Sequence, residues 1–158
     1  MPVLDSDLLI IYLRKVKETA PEEVILKKKK AIQVINELLD ELKDNERLLT
    51  TIFNVGELYV GVYRSSNRIK EIQILDNFFE QFQILPFTIE DSYKFGEIKA
   101  QLLNAGQICG DMDIIIASIV INNGEVIYSN NIDHFKNRGI SKIKSLRYKY
   151  IHAAYLSK

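Results

Sequence analysis

The chain has 158 residues, 47% of them hydrophobic and 27% charged, with 21 basic and 21 acidic side chains and a formal net charge of zero. That is the make-up of one globular domain with a single core, and a neutral chain carries no whole-molecule field aimed at nucleic acid or a membrane. A single cysteine, Cys109, and two histidines, His134 and His152, exclude an intramolecular disulfide, a thiolate zinc cluster and a His-rich metal site.

The N-terminus lacks a basic region followed by a long apolar run, because Asp5 and Asp7 interrupt it and Arg14 and Lys15 follow. No apolar run reaches the roughly 20 residues that cross a bilayer, so a cytoplasmic location without membrane attachment is expected. Val3-Leu4 reads as a short strand ending at Asp5-Ser6-Asp7, with a helix over Leu8 to Val16. Pro21-Glu22-Glu23 starts a second helix, with Pro in the first turn and acids at the positive end of the dipole. It is expected to reach about Lys43, burying Ala31, Ile35, Leu38 and Leu42 on one stripe and leaving Lys27 to Lys30 on a solvated face.

Arg47 to Ile52 reads as a second strand, and Asn54 to about Arg64 as a helix broken by Ser65-Ser66-Asn67. Arg68 to Phe82 is expected to be helical, with Ile72, Leu75, Phe79 and Phe82 inward, and Ile84-Leu85 to be a strand halted by Pro86. Thr88 or Asp91 caps a helix to Leu103 that Asn104-Ala105-Gly106 terminates. Asp111 to Ile121 is the next helix and Val126 to Tyr128 the next strand. Gly139 marks a turn, and Ile143 to Leu146 is a candidate edge strand. Short apolar strands alternating with longer helices predict an α/β fold, a short and mainly parallel sheet of four or five strands flanked by helices. Residues 1–158 form one domain, with 146–158 a candidate flexible C-terminal tail.

The acidic residues fall where such a sheet binds ligands, beyond the carboxyl ends of strands. Asp5 and Asp7 follow the first strand, Glu57 lies in the first turns after the second, and Ser129, Asn130, Asn131 and Asp133 follow the fourth. Asp5 can cap a helix or join a site, and capping is the favoured reading of Asp111. Asp113 is harder to dismiss, because it shares a helical face with Ile116, Ala117 and Val120. Glu57 sits too deep in its helix to cap it, with Gly61 one turn along the same face; a surface Glu is the plain alternative. Crowded carboxylates cannot all ionise cheaply unless a cation meets them, and oxygen-only donors favour Mg²⁺ or Mn²⁺ over zinc. That combination suits phosphodiester hydrolysis.

With those positions in line, the sequence resembles the PIN-domain ribonucleases, in particular the VapC-type toxins of toxin–antitoxin pairs. The resemblance runs through Val3-Leu4-Asp5-Ser6-Asp7, Thr50-Thr51 to Gly61, Asp113 to Ser118, and Val126 to Phe135. It implies a PIN-like fold and an Mg²⁺-dependent endoribonuclease that leaves a 3′-hydroxyl and a 5′-phosphate. The protein would be dimeric and inhibited by a small antitoxin. It implies metal-ligating roles for Asp5, Glu57 and Asp113. The fourth polar position falls at Asn131, with Asp133 the rival; Asp7 orients a water, Asp111 helps bind metal or caps, and Ser129 and Asn130 support the site. Lys136, Arg138, Lys142 and Arg147, among interleaved tyrosines, form a basic C-terminal stretch that can contact RNA phosphate, or simply a solvated tail.

Two other readings compete. Asp5-Ser6-Asp7 with Gly110-Asp111 also resembles the haloacid-dehalogenase-type phosphatases, although Leu103 to Cys109 is not the apolar strand that their Gly-Asp requires. A PIN-like RNA-binding or interaction module without activity is the non-catalytic alternative.

Overall fold

Side chains alternate between two cores along each central strand, as a pleated ribbon covered on both faces requires. The computed structural model describes residues 1–130 and the backbone of 147–150. Five strands, β1 (Pro2–Leu4), β2 (Leu48–Thr51), β3 (Phe82–Leu85), β4 (Val126–Ser129) and β5 (Arg147–Tyr150), form one sheet in the order β3-β2-β1-β4-β5. Every pairing is parallel, with Val3 beside Leu49 and Ile127, Leu48 beside Phe82, and Ile127 beside Tyr148.

Val3, Leu49 and Ile127 point into a core shared with Ile98, Leu102, Ile114 and Ala117, on α5 (Ile89–Asn104) and α6 (Asp111–Asn122). Leu4, Leu48 and Tyr128 point the other way. They pack against Leu8 and Leu9 of α1 (Ser6–Leu13), Ile35 of α2 (Glu22–Asp40), Leu58 of α3 (Ile52–Tyr63) and Leu75 of α4 (Arg68–Phe79). The helix layers follow from right-handed crossovers. From β1 through β2 to β3 the chain advances one way with its helices on one face; the return from β3 to β4 puts α5 and α6 on the other. The α/β fold with a parallel sheet is therefore the one expected.

Local differences have physical causes. Asp5 caps α1 directly, so that helix begins at Ser6 rather than Leu8 and ends at Leu13. The second helix closes at Asp40, before a turn in which Asn45 takes the left-handed conformation at φ 71°. Phe82 was expected on the inner face of a helix but opens β3, where it pairs with Leu48. Its ring packs 4.9 Å from that of Phe78, so aromatic packing carries the helical spacing across a helix–strand boundary. Residues 147–150, expected in a C-terminal tail, pair with β4 as the edge strand. The expected turn at Gly139 and strand at Ile143 to Leu146 lie outside the described residues.

The lysine run on α2 is engaged locally. Lys27 pairs with Glu23 at 2.7 Å, and Lys28 donates to the Tyr12 carbonyl while lying 5.4 Å from that ring's centroid. Among the described residues, no helix is long and apolar enough to cross a membrane.

Candidate functional site

β1 is the switch point of the sheet. The chain leaves it for β2 on one side and returns to β4 on the other, which opens a crevice beyond the carboxyl ends of β1 and β4. Asp5 is the first residue past β1, and Ser129 is the last of β4. Asp5 is only 7% exposed. One carboxylate oxygen accepts from its neighbour's backbone, Ser6 N at 2.9 Å, and the other from Ser129 Oγ at 2.7 Å. Its own N–H donates to the Tyr128 carbonyl at 3.0 Å. Asp5 therefore caps α1 at the carboxyl end of β1, a place that leaves the capping and site readings compatible.

Burial pushes the Asp5 carboxyl up from 3.8 to about 7; the Ser129 and Ser6 hydrogen bonds hold it down, and the carboxylates of Asp7 and Glu57 raise it further. The charges of Asp7 and Glu57 therefore both reach Asp5. Glu57 is half-buried on α3, beside a groove of about 500 Å³ that Ile10, Arg14, Gly61 and Lys70 also line. Gly61 opens onto this groove as expected, although a Cβ there would meet nothing within 4 Å.

Asp113 enters from the opposite layer. After α6 the chain turns through Gly124, at φ +67°, and runs back as β4, so the N-terminus of α6 lies at the carboxyl edge of the sheet. Asp113 occupies the first turn, half-buried, with Ile116, Ala117 and Val120 buried behind it on the same face. Its Oδ2 is 3.9 Å from Cys109 Sγ. Asp111 does not share this setting. Gly110, not Asp111, is the N-cap; the Asp111 carboxylate is exposed and pairs with Lys99 Nζ at 2.6 Å. The capping expected of Asp111 is therefore replaced by an ion pair across α5 and α6.

Among the described residues, no group of three or more Asp, Glu, His or Cys side chains is placed to hold a metal ion. Fewer donors suffice for a hard cation such as Mg²⁺ or Mn²⁺, since Mg²⁺ commonly takes one or two carboxylates and completes its shell with water and substrate phosphate. A cation beside Asp5 would also reverse the cost of ionising it, so the donors present fit that group and not structural zinc. Asn130 is half-buried just past β4. Asn131 and Asp133, and the basic residues Lys136, Arg138 and Lys142, lie outside the described residues, and Arg147 is described only as the first residue of β5. Arg68 is held locally, donating to the Tyr63 carbonyl at 3.3 Å with its guanidinium 5.3 Å from that ring's centroid.

Two neighbours of the site had no assigned role: Thr50 and Asn54, both fully buried and both donating to the Leu4 carbonyl, at 2.8 and 3.1 Å. The available signal was an amide in the first turn of an apolar helix, three residues before Glu57. The phosphatase reading fails on topology, because α5 and the turn after it precede Gly110 where a buried strand is required.

No family model matches the chain. It is 30% identical over 101 residues to Ribonuclease VapC2 of Haemophilus influenzae, covering 63% of this chain and 76% of that one. It is likewise 30% identical over 98 residues to Ribonuclease VapC2 of Rickettsia felis, covering 62% and 73%. The tRNA(fMet)-specific endonuclease VapC of Salmonella typhimurium is 23% identical over 93 residues, covering 59% of this chain and 70% of that one. Among solved structures, VapBC-1 from nontypeable Haemophilus influenzae matches with a TM-score of 0.72 at 20% identity, over 94% of this chain and 96% of that one. VapBC2 from Rickettsia felis, bound to a promoter DNA fragment, matches with a TM-score of 0.69 at 22% identity, over 94% and 97%. With 30% identity across about three quarters of two VapC2 ribonucleases, this chain belongs to the VapC ribonuclease family.

Proposed function

We propose that this chain is a divalent-metal-dependent endoribonuclease, the toxin of a toxin–antitoxin pair, whose site is built on Asp5, Glu57 and Asp113. The observation that carries the reading is the Asp5 carboxyl, buried at the carboxyl end of the central strand, hydrogen-bonded by Ser129 and pressed by the charges of Asp7 and Glu57. A carboxyl held so is costly unless a cation is its partner.

Asp5, Glu57 and Asp113 would hold Mg²⁺ or Mn²⁺, with Asn131 or Asp133 as the fourth position. When bound, a divalent cation supplies acidity for an attacking water and compensates charge building on the phosphate and the leaving oxygen. The chain's own groups do the rest. Ser129 and the Ser6 N–H fix the Asp5 carboxylate in one orientation. Asp7 would orient the attacking water, and Asn130, just past β4, would support the site. The positive end of the α6 dipole faces the strands' carboxyl edge, favouring both the Asp113 carboxylate and a substrate phosphate. Lys136, Arg138, Lys142 and Arg147 would contact the RNA backbone. Hydrolysis would leave a 3′-hydroxyl and a 5′-phosphate. The chain works in the cytoplasm as a homodimer, checked by a small antitoxin like the partners of the VapBC relatives.

The test is incubation with structured RNAs, with and without Mg²⁺, beside Asp5→Asn and Asp113→Asn. Cleavage should require the ion and be lost in both variants. Equal cleavage by wild type and both variants would sink the reading.

A further inference from the structure

We propose that Asn54 is a positioning residue of this site: its side-chain amide locks the Leu4–Asp5 peptide to the first turn of α3 and so sets the separation of the Asp5 and Glu57 carboxylates. The inference rests on the metal-dependent hydrolase reading above and concerns how that site is held.

The backbone ladder between β1 and β2 pairs Val3 with Leu49. At the next residue, where the chain turns into the crevice, side chains take over. The Leu4 carbonyl accepts from Thr50 Oγ1 at 2.8 Å and from Asn54 Nδ2 at 3.1 Å. Asn54 Nδ2 also reaches Thr50 Oγ1 at 3.2 Å, and the backbone N–H of Asn54 donates to Thr51 Oγ1 at 3.2 Å. On the other side, the Asp5 N–H donates to the Tyr128 carbonyl. Both polar ends of the peptide before Asp5 are therefore pinned, one by β4 and the other by β2 and α3. Asn54 lies three residues before Glu57 on α3, so one buried amide couples the strand end that carries Asp5 to the helix that carries Glu57.

The arrangement has a cost that a purely structural residue would avoid. Asn54 is 0% exposed, and its Oδ1 is the one buried side-chain N or O atom without a hydrogen-bond partner among the described residues. A stranded buried acceptor disfavours folding, whereas an isosteric leucine fills the same volume without it. What the amide adds is an N–H group long enough to bridge Leu4 and Thr50.

The test compares the wild type with Asn54→Leu and Asn54→Thr, measuring Mn²⁺ affinity by calorimetry, thermal midpoint, and kcat and KM on one RNA. Positioning predicts that Asn54→Leu keeps its thermal midpoint close to wild type yet binds Mn²⁺ about ten- to a hundred-fold more weakly, as loss of groups that orient metal ligands does. The kcat should fall by a similar factor while KM stays within about two-fold, because misplacement acts on the reacting geometry. Asn54→Thr keeps one hydroxyl donor and should recover part of the Mn²⁺ affinity; it carries the same test should the leucine variant fail to fold. Wild-type Mn²⁺ affinity and kcat in the folded variants, with only the thermal midpoint lowered, would overturn the proposal. A wild type that binds Mn²⁺ but cuts no RNA would sink the ribonuclease reading and still decide the role of Asn54 from the affinities. A wild type that binds no Mn²⁺ overturns both.

Discussion

Ser129 Oγ donates to Asp5 Oδ2 at 2.7 Å, joining the carboxyl ends of the two central strands through the carboxylate that lines the crevice. The bond favours the ionised form of Asp5 against the burial that opposes it. Ser129→Ala should therefore raise the Asp5 pKa of the metal-free protein further and move the pH profile of Mn²⁺ binding upward by about one unit. Apparent Mn²⁺ affinity near neutrality should drop about five-fold and recover above pH 8. An unmoved profile in the variant would show that the hydroxyl does not tune Asp5.

The raised carboxyl also makes stability depend on pH. The unfolded chain releases the Asp5 proton near 3.8, and the folded chain near 7. Between those values the folded state keeps a proton that the unfolded state has lost, so stability falls as pH rises through this window, and the full cost is present above it. The cost is on the order of 4 kcal/mol in the metal-free protein. Melting in EDTA should show a midpoint lower at pH 8 than at pH 5, a gap that narrows in Asp5→Asn and with saturating Mg²⁺. A flat metal-free profile in the wild type would contradict a desolvated Asp5.

The two acids of α6 should separate cleanly. Asp113→Asn should cost at least about a hundred-fold in kcat, since it removes a charge at the site. Asp111→Asn breaks only a solvent-exposed pair with Lys99, worth at most about 0.5 kcal/mol. Its activity should stay within about three-fold of wild type, a rate difference equivalent to well under 1 kcal/mol. Equal losses from both substitutions would place Asp111 on the metal as well.

Asp91 offers a control remote from the chemistry. It is 2% exposed, forms the capping box of α5 with Thr88, and accepts from Asn122 Nδ2 at 2.8 Å, tying the start of α5 to the end of α6. Asp91→Ala should lower stability by about 2 kcal/mol by chemical denaturation. The kcat of the remaining folded protein should not change.

Much of this was legible in the residues. The alternation of strands and helices predicts the parallel sheet, and the acids proposed for the site, Asp5, Glu57 and Asp113, stand out because acids are rare beside Leu4, Leu58 and Ile114. What was hidden depended on tertiary pairing. Phe82 continues an aromatic stripe at helical spacing, and only its place beside Leu48 makes it a strand residue. Arg147–Tyr150 looks like a basic, aromatic tail until β4 supplies a partner. Asn54 and Thr50 read as ordinary polar residues in an apolar run; their shared acceptor, the Leu4 carbonyl, is a backbone atom with no signature in side-chain pattern. Asp111 looked like a cap because position alone cannot show that Lys99 reaches it from α5.

The central strand is three residues long, and the bond that closes the crevice joins groups 124 positions apart in the chain. Contacts of such sequence separation form late, since the entropy of closing the loop must be met before the contact repays it. During synthesis Asp5, Glu57 and Asp113 all emerge before β4, the strand that builds the wall opposite them. A growing chain thus carries its acids without a cleft to concentrate them. On the proposed site, competence to cut RNA would arrive only with the last strands.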